Sequence, residues 1–167
     1  MKNSLRSALL AAVMSVTLAA PAVAGIADSP LPVLSVGVDT LHLYSVPGVF
    51  GGVAGLGTYF ACTSTDTATM QVGVELFASS GGAPINDAVA TSLSVAPGAT
   101  VIFGTGPAVG ISVSSILGGG FSKGSARILA TSKKLACTAF VADQGNAPPT
   151  SMVQLTIIKK TSQKAAN

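Results

Sequence analysis

Apolar and polar residues alternate along most of this chain in short runs, and clusters of Gly, Pro, Ser and Asp separate the runs. In the clearest run Met70, Val72, Val74 and Leu76 interleave with Gln71, Gly73 and Glu75. A period of two sends one set to a buried face and the other to water, the pattern of a half-buried strand. The same reading predicts strands over 31–36, 38–44, 58–64, 89–95, 100–105, 125–132, 134–143 and 152–160. Pro30 and Pro32 make the first of these an edge strand or a leading arm. The stretch 46–57 is Gly-rich and predicted irregular, and 111–117 is a short strand or a helical turn. Ala96-Pro97-Gly98-Ala99 fits a type II turn, because Pro fixes φ and Gly accepts positive φ. It would join 89–95 and 100–105 into a hairpin. Short strands at regular spacing with Gly/Pro turns predict an all-β fold, best fitted by a two-sheet antiparallel β-sandwich.

The first residues follow a different pattern. Lys2 and Arg6 precede an apolar run over 8–20, Pro21 breaks it, and Ala22-Val23-Ala24 supplies small residues in alternation. This reads as a secretory signal over 1–24, cut between Ala24 and Gly25. The run is shorter than the roughly 20 residues a membrane-spanning helix needs. The expected partners are therefore the secretion machinery and signal peptidase, with no stable membrane span after cleavage. Residues 25–160 form the expected domain and 161–167 a loose polar tail. Removing 24 of the 167 residues leaves 143, enough for one core.

Export changes how the two cysteines read. Cys62 and Cys137 each sit midway along an alternating run, in Phe60-Ala61-Cys62-Thr63 and Leu135-Ala136-Cys137-Thr138. An oxidising compartment favours their pairing, and each points toward the core. One cysteine strand early and one late resembles an immunoglobulin-like sandwich, in which such a bridge ties one sheet to the other. No Trp is present to pack on the bridge, and no Tyr stands two residues before Cys137. The comparison is architectural. Export, size, a cysteine pair and low charge are also similar to fimbrial-type subunits. The cysteines here close a longer loop than expected for that family, and no aromatic precedes the C-terminus in its usual place, so membership is not implied.

Charged residues make up 9% of the chain, and the formal charge of +3 falls to +1 once Lys2 and Arg6 leave. Nucleic-acid binding gains no support from that balance. Asp28, Asp39, Asp66, Glu75 and Asp87 precede Lys123, Arg127, Lys133, Lys134, Lys159, Lys160 and Lys164. Acidic strands would pair with basic strands inside one fold. The sharper alternative is a bipolar subunit stacking head to tail.

Candidate chemistry is thin. His42 is the only histidine and is read as an exposed or rim residue. No metal, cofactor or catalytic set is expected: zinc wants three or four ligands, and the acids are scattered singly in loops. The segment 104–110 has the wrong spacing for a dinucleotide fingerprint, and 118–125 fails the P-loop order. A Gly-x-Ser-x-Gly spacing occurs at Gly120-Phe121-Ser122-Lys123-Gly124, but without the strand-then-helix setting of a hydrolase elbow. Tyr44, Tyr59 and Phe77 are the candidate surface contacts, because each can face outward on a low-charge surface. Packing of Phe77 beneath a long loop is the alternative for that residue. These readings predict an exported, non-enzymatic structural or binding protein of the periplasm or cell surface. Its candidate partners are a second copy of itself or another surface protein. A secreted small-ligand or glycan-binding domain and an exported hydrolase are the alternatives.

Overall fold

The computed structural model describes residues 25–52, 54–118 and 121–164. The expected signal and Ala24 lie outside them, and Gly25 is the first described residue. In chain order the strands are β1 (Leu41–Phe50), β2 (Leu56–Ser64), β3 (Met70–Ala78), β4 (Leu93–Val95) and β5 (Thr100–Gly104). They continue with β6 (Ser115–Ile116), β7 (Lys123–Ala130), β8 (Leu135–Asp143), β9 (Met152–Leu155) and β10 (Ile158–Lys164). No helix occurs among the described residues. Two five-stranded sheets form, in the orders β10-β1-β7-β3-β4 and β6-β5-β2-β8-β9. All pairings are antiparallel except β5 with β6.

Period-two burial builds the layer between the sheets. Val72, Val74 and Leu76 of β3, with Ala126, Ile128 and Ala130 of β7, face Phe60, Cys62, Phe103 and Ala139 of the second sheet. A buried Val, Leu, Ile or Phe contributes about 1.5–3 kcal/mol by leaving water, so this layer carries the fold.

Several segments depart from the alternation reading, each for a local reason. Residues 31–36 are not a strand; one isolated bridge, Ser35 to Val38, is all the pairing they make. Pro30 and Pro32 lack N–H groups, and Gly37 turns back at φ 77°. The stretch 46–57 is more ordered than expected. β1 runs through Pro47 to Phe50 by shifting register between Pro47 and Val49. The predicted 89–105 hairpin does not form. Its turn is present, with Gly98 at φ 73° and Ala99 N–H bonded to Ala96 O at 3.0 Å. It is a corner, however, that carries the chain from β4 in one sheet to β5 in the other. The 152–160 run likewise splits at Thr156-Ile157 into β9 and β10, one in each sheet. Residues 161–164, expected as loose tail, continue β10, where Gln163 aligns with His42 and Lys164 with Leu41. In 111–117 only Ser115–Ile116 is strand, parallel to β5.

The cysteines are bonded, but not between layers. Cys62 and Cys137 are register partners on β2 and β8, neighbours in the second sheet, with Cα atoms 4.1 Å apart. Both side chains do point at the core, as alternation required. Facing inward from adjacent strands brings the sulfurs together without crossing the sandwich. The immunoglobulin-like inter-sheet bridge is therefore replaced by a cross-strand one. A disulfide is compatible with an extracellular or other oxidising compartment.

Candidate functional site

The two sheets treat their outer faces oppositely. On the first sheet, Arg127 and Leu129 of β7 and Gly73, Glu75 and Phe77 of β3 point outward yet are buried, while Gln71 and Ser125 at the ends of the same face are half-buried. The leading arm, residues 25–40, roofs them together with the loop that follows β3. Leu34 of the arm packs with Ala88 and Leu129 as a small second core. Gly73 permits this: a Cβ there would lie 3.1 Å from Leu34 Cδ2 and 3.2 Å from Ala88 O. Asn86 fastens the loop, accepting from Leu76 N–H at 2.7 Å and donating to Val74 O at 2.8 Å. It thus acts as a substitute strand where β4 has ended.

Arg127 is the centre of this roof. Its Nε donates to Glu75, its register partner on β3. Its other nitrogens donate to Ser29 O and Pro30 O, each at 2.9 Å, and more weakly to Ile26 O at 3.4 Å. The guanidinium also lies 5.2 Å from the centroid of the Phe77 ring. A buried cation is tolerated only when its donors are matched, and here a carboxylate and three carbonyls match them. The first described residues of the arm are held by a residue in the middle of the sheet.

His42 belongs to the same layer. It is 2% exposed, not the rim residue expected; its register partner on β7 is Leu129, on which Leu34 of the arm packs. Its Nε2 lies 3.0 Å from Ser45 Oγ. Burial, then the charges of Arg127 and Lys160, lower its pKa from 6.5 to about 4. A Ser–His contact invites a nucleophile reading, but a base this weak takes a serine proton poorly. Both residues are also buried, at 2% and 9% exposure.

Tyr44 and Tyr59, expected as outward contacts, are buried, at 8% and 0% exposure, and Phe77, at 2%, follows its alternative reading of packing beneath other chain. The bulge in β1 turns Tyr44 into the inter-sheet core, where its hydroxyl donates to Leu135 O. Tyr59 does face outward, but the loop after β5 closes over it; its hydroxyl donates to Pro107 O at 3.3 Å and its ring stacks at a tilt on Phe140, 5.6 Å between centroids. Phe77 lies under Arg127 and the roof.

Four of the six acids serve the fold. Glu75 pairs with Arg127. Asp66 receives hydrogen bonds from Ser132 Oγ, Thr67 N–H and Lys134 Nζ, which lower its pKa to about 2. Asp143 is held at about 2 by the donors of Ser151, Asn146 and Thr150 in its own loop. Asp87 accepts from Val89 and Ala90 N–H. Both Glu75–Arg127 and Asp66–Lys134 are acid–base pairs inside the fold, as expected from the charge order. A groove of about 340 Å³ is lined by Asp39 with no second titratable side chain, and another of about 540 Å³ lies beside Phe50, Phe77 and Lys123. Among the described residues no three potential metal ligands cluster, and no helix is long and apolar enough to cross a membrane.

The outer face of the second sheet is the contrast. Two register rows run across it, Thr100–Thr63–Ala136 and Ile102–Ala61–Thr138. Gln154 extends the face onto β9 beside Phe140. None of these residues is charged, and Thr100, Ala136, Thr138 and Gln154 are exposed. The Thr63 and Thr100 hydroxyls bond each other at 2.8 Å, which holds two side chains in fixed rotamers. The sequence reading missed this face because it sought aromatic contacts; the signal was the Thr/Ala alternation opposite Phe60, Cys62 and Ala139. It missed Arg127 because an outward charge on a strand reads as solvated.

No family model, curated protein or solved structure matches this chain.

Proposed function

We propose that this chain is an exported, non-enzymatic structural or binding module of the periplasm or cell surface. It works by presenting the outer face of its second sheet to a partner. The observation that carries this reading is the asymmetry of the sandwich. One outer face is roofed and its charges are consumed internally; the other is covered at Tyr59 but leaves the rows Thr100–Thr63–Ala136 and Ile102–Ala61–Thr138 uncovered and uncharged. Bringing such a face against another macromolecule removes no ion from water, so its desolvation cost is low. The disulfide supports an oxidising destination, and the commitment of Asp66, Asp87, Asp143 and Glu75 to internal bonds supports a role other than acid–base chemistry.

The test has two arms. Intact mass of the secreted product is expected to correspond to residues 25–167 less two hydrogens. Retention in the envelope of producing cells is then compared with the variant Ala136→Arg/Thr138→Arg, which puts two cations on the bare face. Loss of retention with an unchanged melting temperature is expected. Undiminished retention, or turnover of a substrate by the purified chain, would overturn the reading.

A further inference from the structure

An edge strand offers its unpaired N–H and C=O groups to another chain unless something blunts it. Three of the four edges here are blunted. β4 and β6 are three and two residues long. β10 carries Lys159, Lys160 and Lys164. β9 is different. It closes the second sheet with only β8 beside it. No charged residue occurs from Gln144 to Ile158. Met152 and Val153 stand 58% and 64% exposed on it.

Resting on the contact role above, we propose that β9 is a self-association edge. β9 of one copy pairs antiparallel with β9 of a second copy about a two-fold axis, making the two second sheets continuous. Charge selects the occupant. An acidic partner would be drawn to the lysines of β10 and would gain nothing at β9. A second copy of this net-positive chain is repelled wherever lysine meets lysine, and is admitted where neither copy is charged. The head-to-tail alternative has few acids to drive it, since four of the six, Asp66, Glu75, Asp87 and Asp143, are engaged within the molecule. Opposed residues of an antiparallel pair share a face, so the register sets Val153 against Val153 on the axis and Met152 against Gln154. An isologous contact of this kind closes at two copies. The strand is four residues long, so the contact is small and its Kd is expected on the order of 100 μM.

Sedimentation of oxidised residues 25–167, from about 10 μM to about 1 mM, tests this range of affinity. A monomer–dimer equilibrium is expected, and Val153→Lys should weaken it about tenfold or more without moving the melting temperature. Mild oxidation of Val153→Cys should give a covalent dimer, and Ser94→Cys, exposed on the short β4 edge, should not. A monomer at every concentration, a dimer indifferent to Val153→Lys, or equal cross-linking of the two cysteine variants would overturn the pairing. None of those results bears on envelope retention, which is read through Ala136 and Thr138 on the face and not on the edge. The pairing can therefore fail while the contact role stands.

Discussion

On the outer face of the first sheet, Arg127 and Glu75 are almost wholly withdrawn from water; on the outer face of the second, the uncharged Thr100, Ala136, Thr138 and Gln154 stay wet. The usual expectation is the reverse. The difference comes from what lies on top. The arm and the loop after β3 bring carbonyls and an amide to the first face, and these replace water around the guanidinium. Nothing roofs the rows Thr100–Thr63–Ala136 and Ile102–Ala61–Thr138, and short uncharged side chains are compatible with either water or a partner. A charge inside a strand pattern thus marks an exposed face only if no other segment of the chain needs a seat there.

The strongest way to break this contrast is to remove the centre of the roof. Arg127→Ala leaves the Glu75 carboxylate buried without its partner and strips donors from Ser29 O and Pro30 O. It is expected to cost up to about 5 kcal/mol in urea unfolding. Replacing both members, as Arg127→Met/Glu75→Leu, should cost much less, because no unpaired charge remains. The second sheet holds its own tie. Cys62→Ala/Cys137→Ala opens a link across 75 residues, and the chain-entropy model predicts a loss of about 4 kcal/mol in the same assay.

Acid sharpens the comparison, because the buried histidine lies on one side only. The folded pKa of His42, about 4, is below its ordinary 6.5. As pH falls, the unfolded chain takes up that proton first. Stability is therefore lost from pH 6.5 down to about 4, by roughly 3 kcal/mol at most, and then levels. His42→Gln should flatten that limb of a plot of urea midpoint against pH. Asp66 and Asp143 add a later limb. Their folded pKa of about 2 lies below 3.8, so their contribution is present above pH 3.8 and lost toward pH 2. The smallest effect belongs to the bare face: Ala136→Arg/Thr138→Arg should change stability by less than about 0.5 kcal/mol, since neither side chain is enclosed.

Alternation along the chain was enough to find most strands and to send Cys62, Cys137, Val72, Val74 and Leu76 inward. Which strand pairs with which was not legible, because consecutive strands often lie in different sheets. β1, β2 and β3 alternate between layers, and β4–β5, β7–β8 and β9–β10 each cross over. A local pattern reports which way a side chain points, not which backbone lies alongside. That is why a correct turn at 96–99 was read as a hairpin, and correctly inward cysteines as an inter-sheet bridge. The contact residues failed for a related reason. Tyr59 was placed on the outward side by its neighbour Phe60, but a loop some 50 residues later, at Pro107, closes over it. Nothing in the sequence near Tyr59 announces that cover. The uncharged face was legible in principle, because its residues alternate with the core positions.

Arg127 reaches back to Ser29 and Pro30, 98 and 97 residues upstream. That reach fixes an order of assembly. The anchor exists only once β7 lies between β1 and β3, so residues 26–30 cannot take their seat on Arg127 before that strand is placed. Protease resistance of residues 26–30 therefore reports on a strand nearly a hundred residues away, and is expected to be lost in Arg127→Ala before the sheets themselves open.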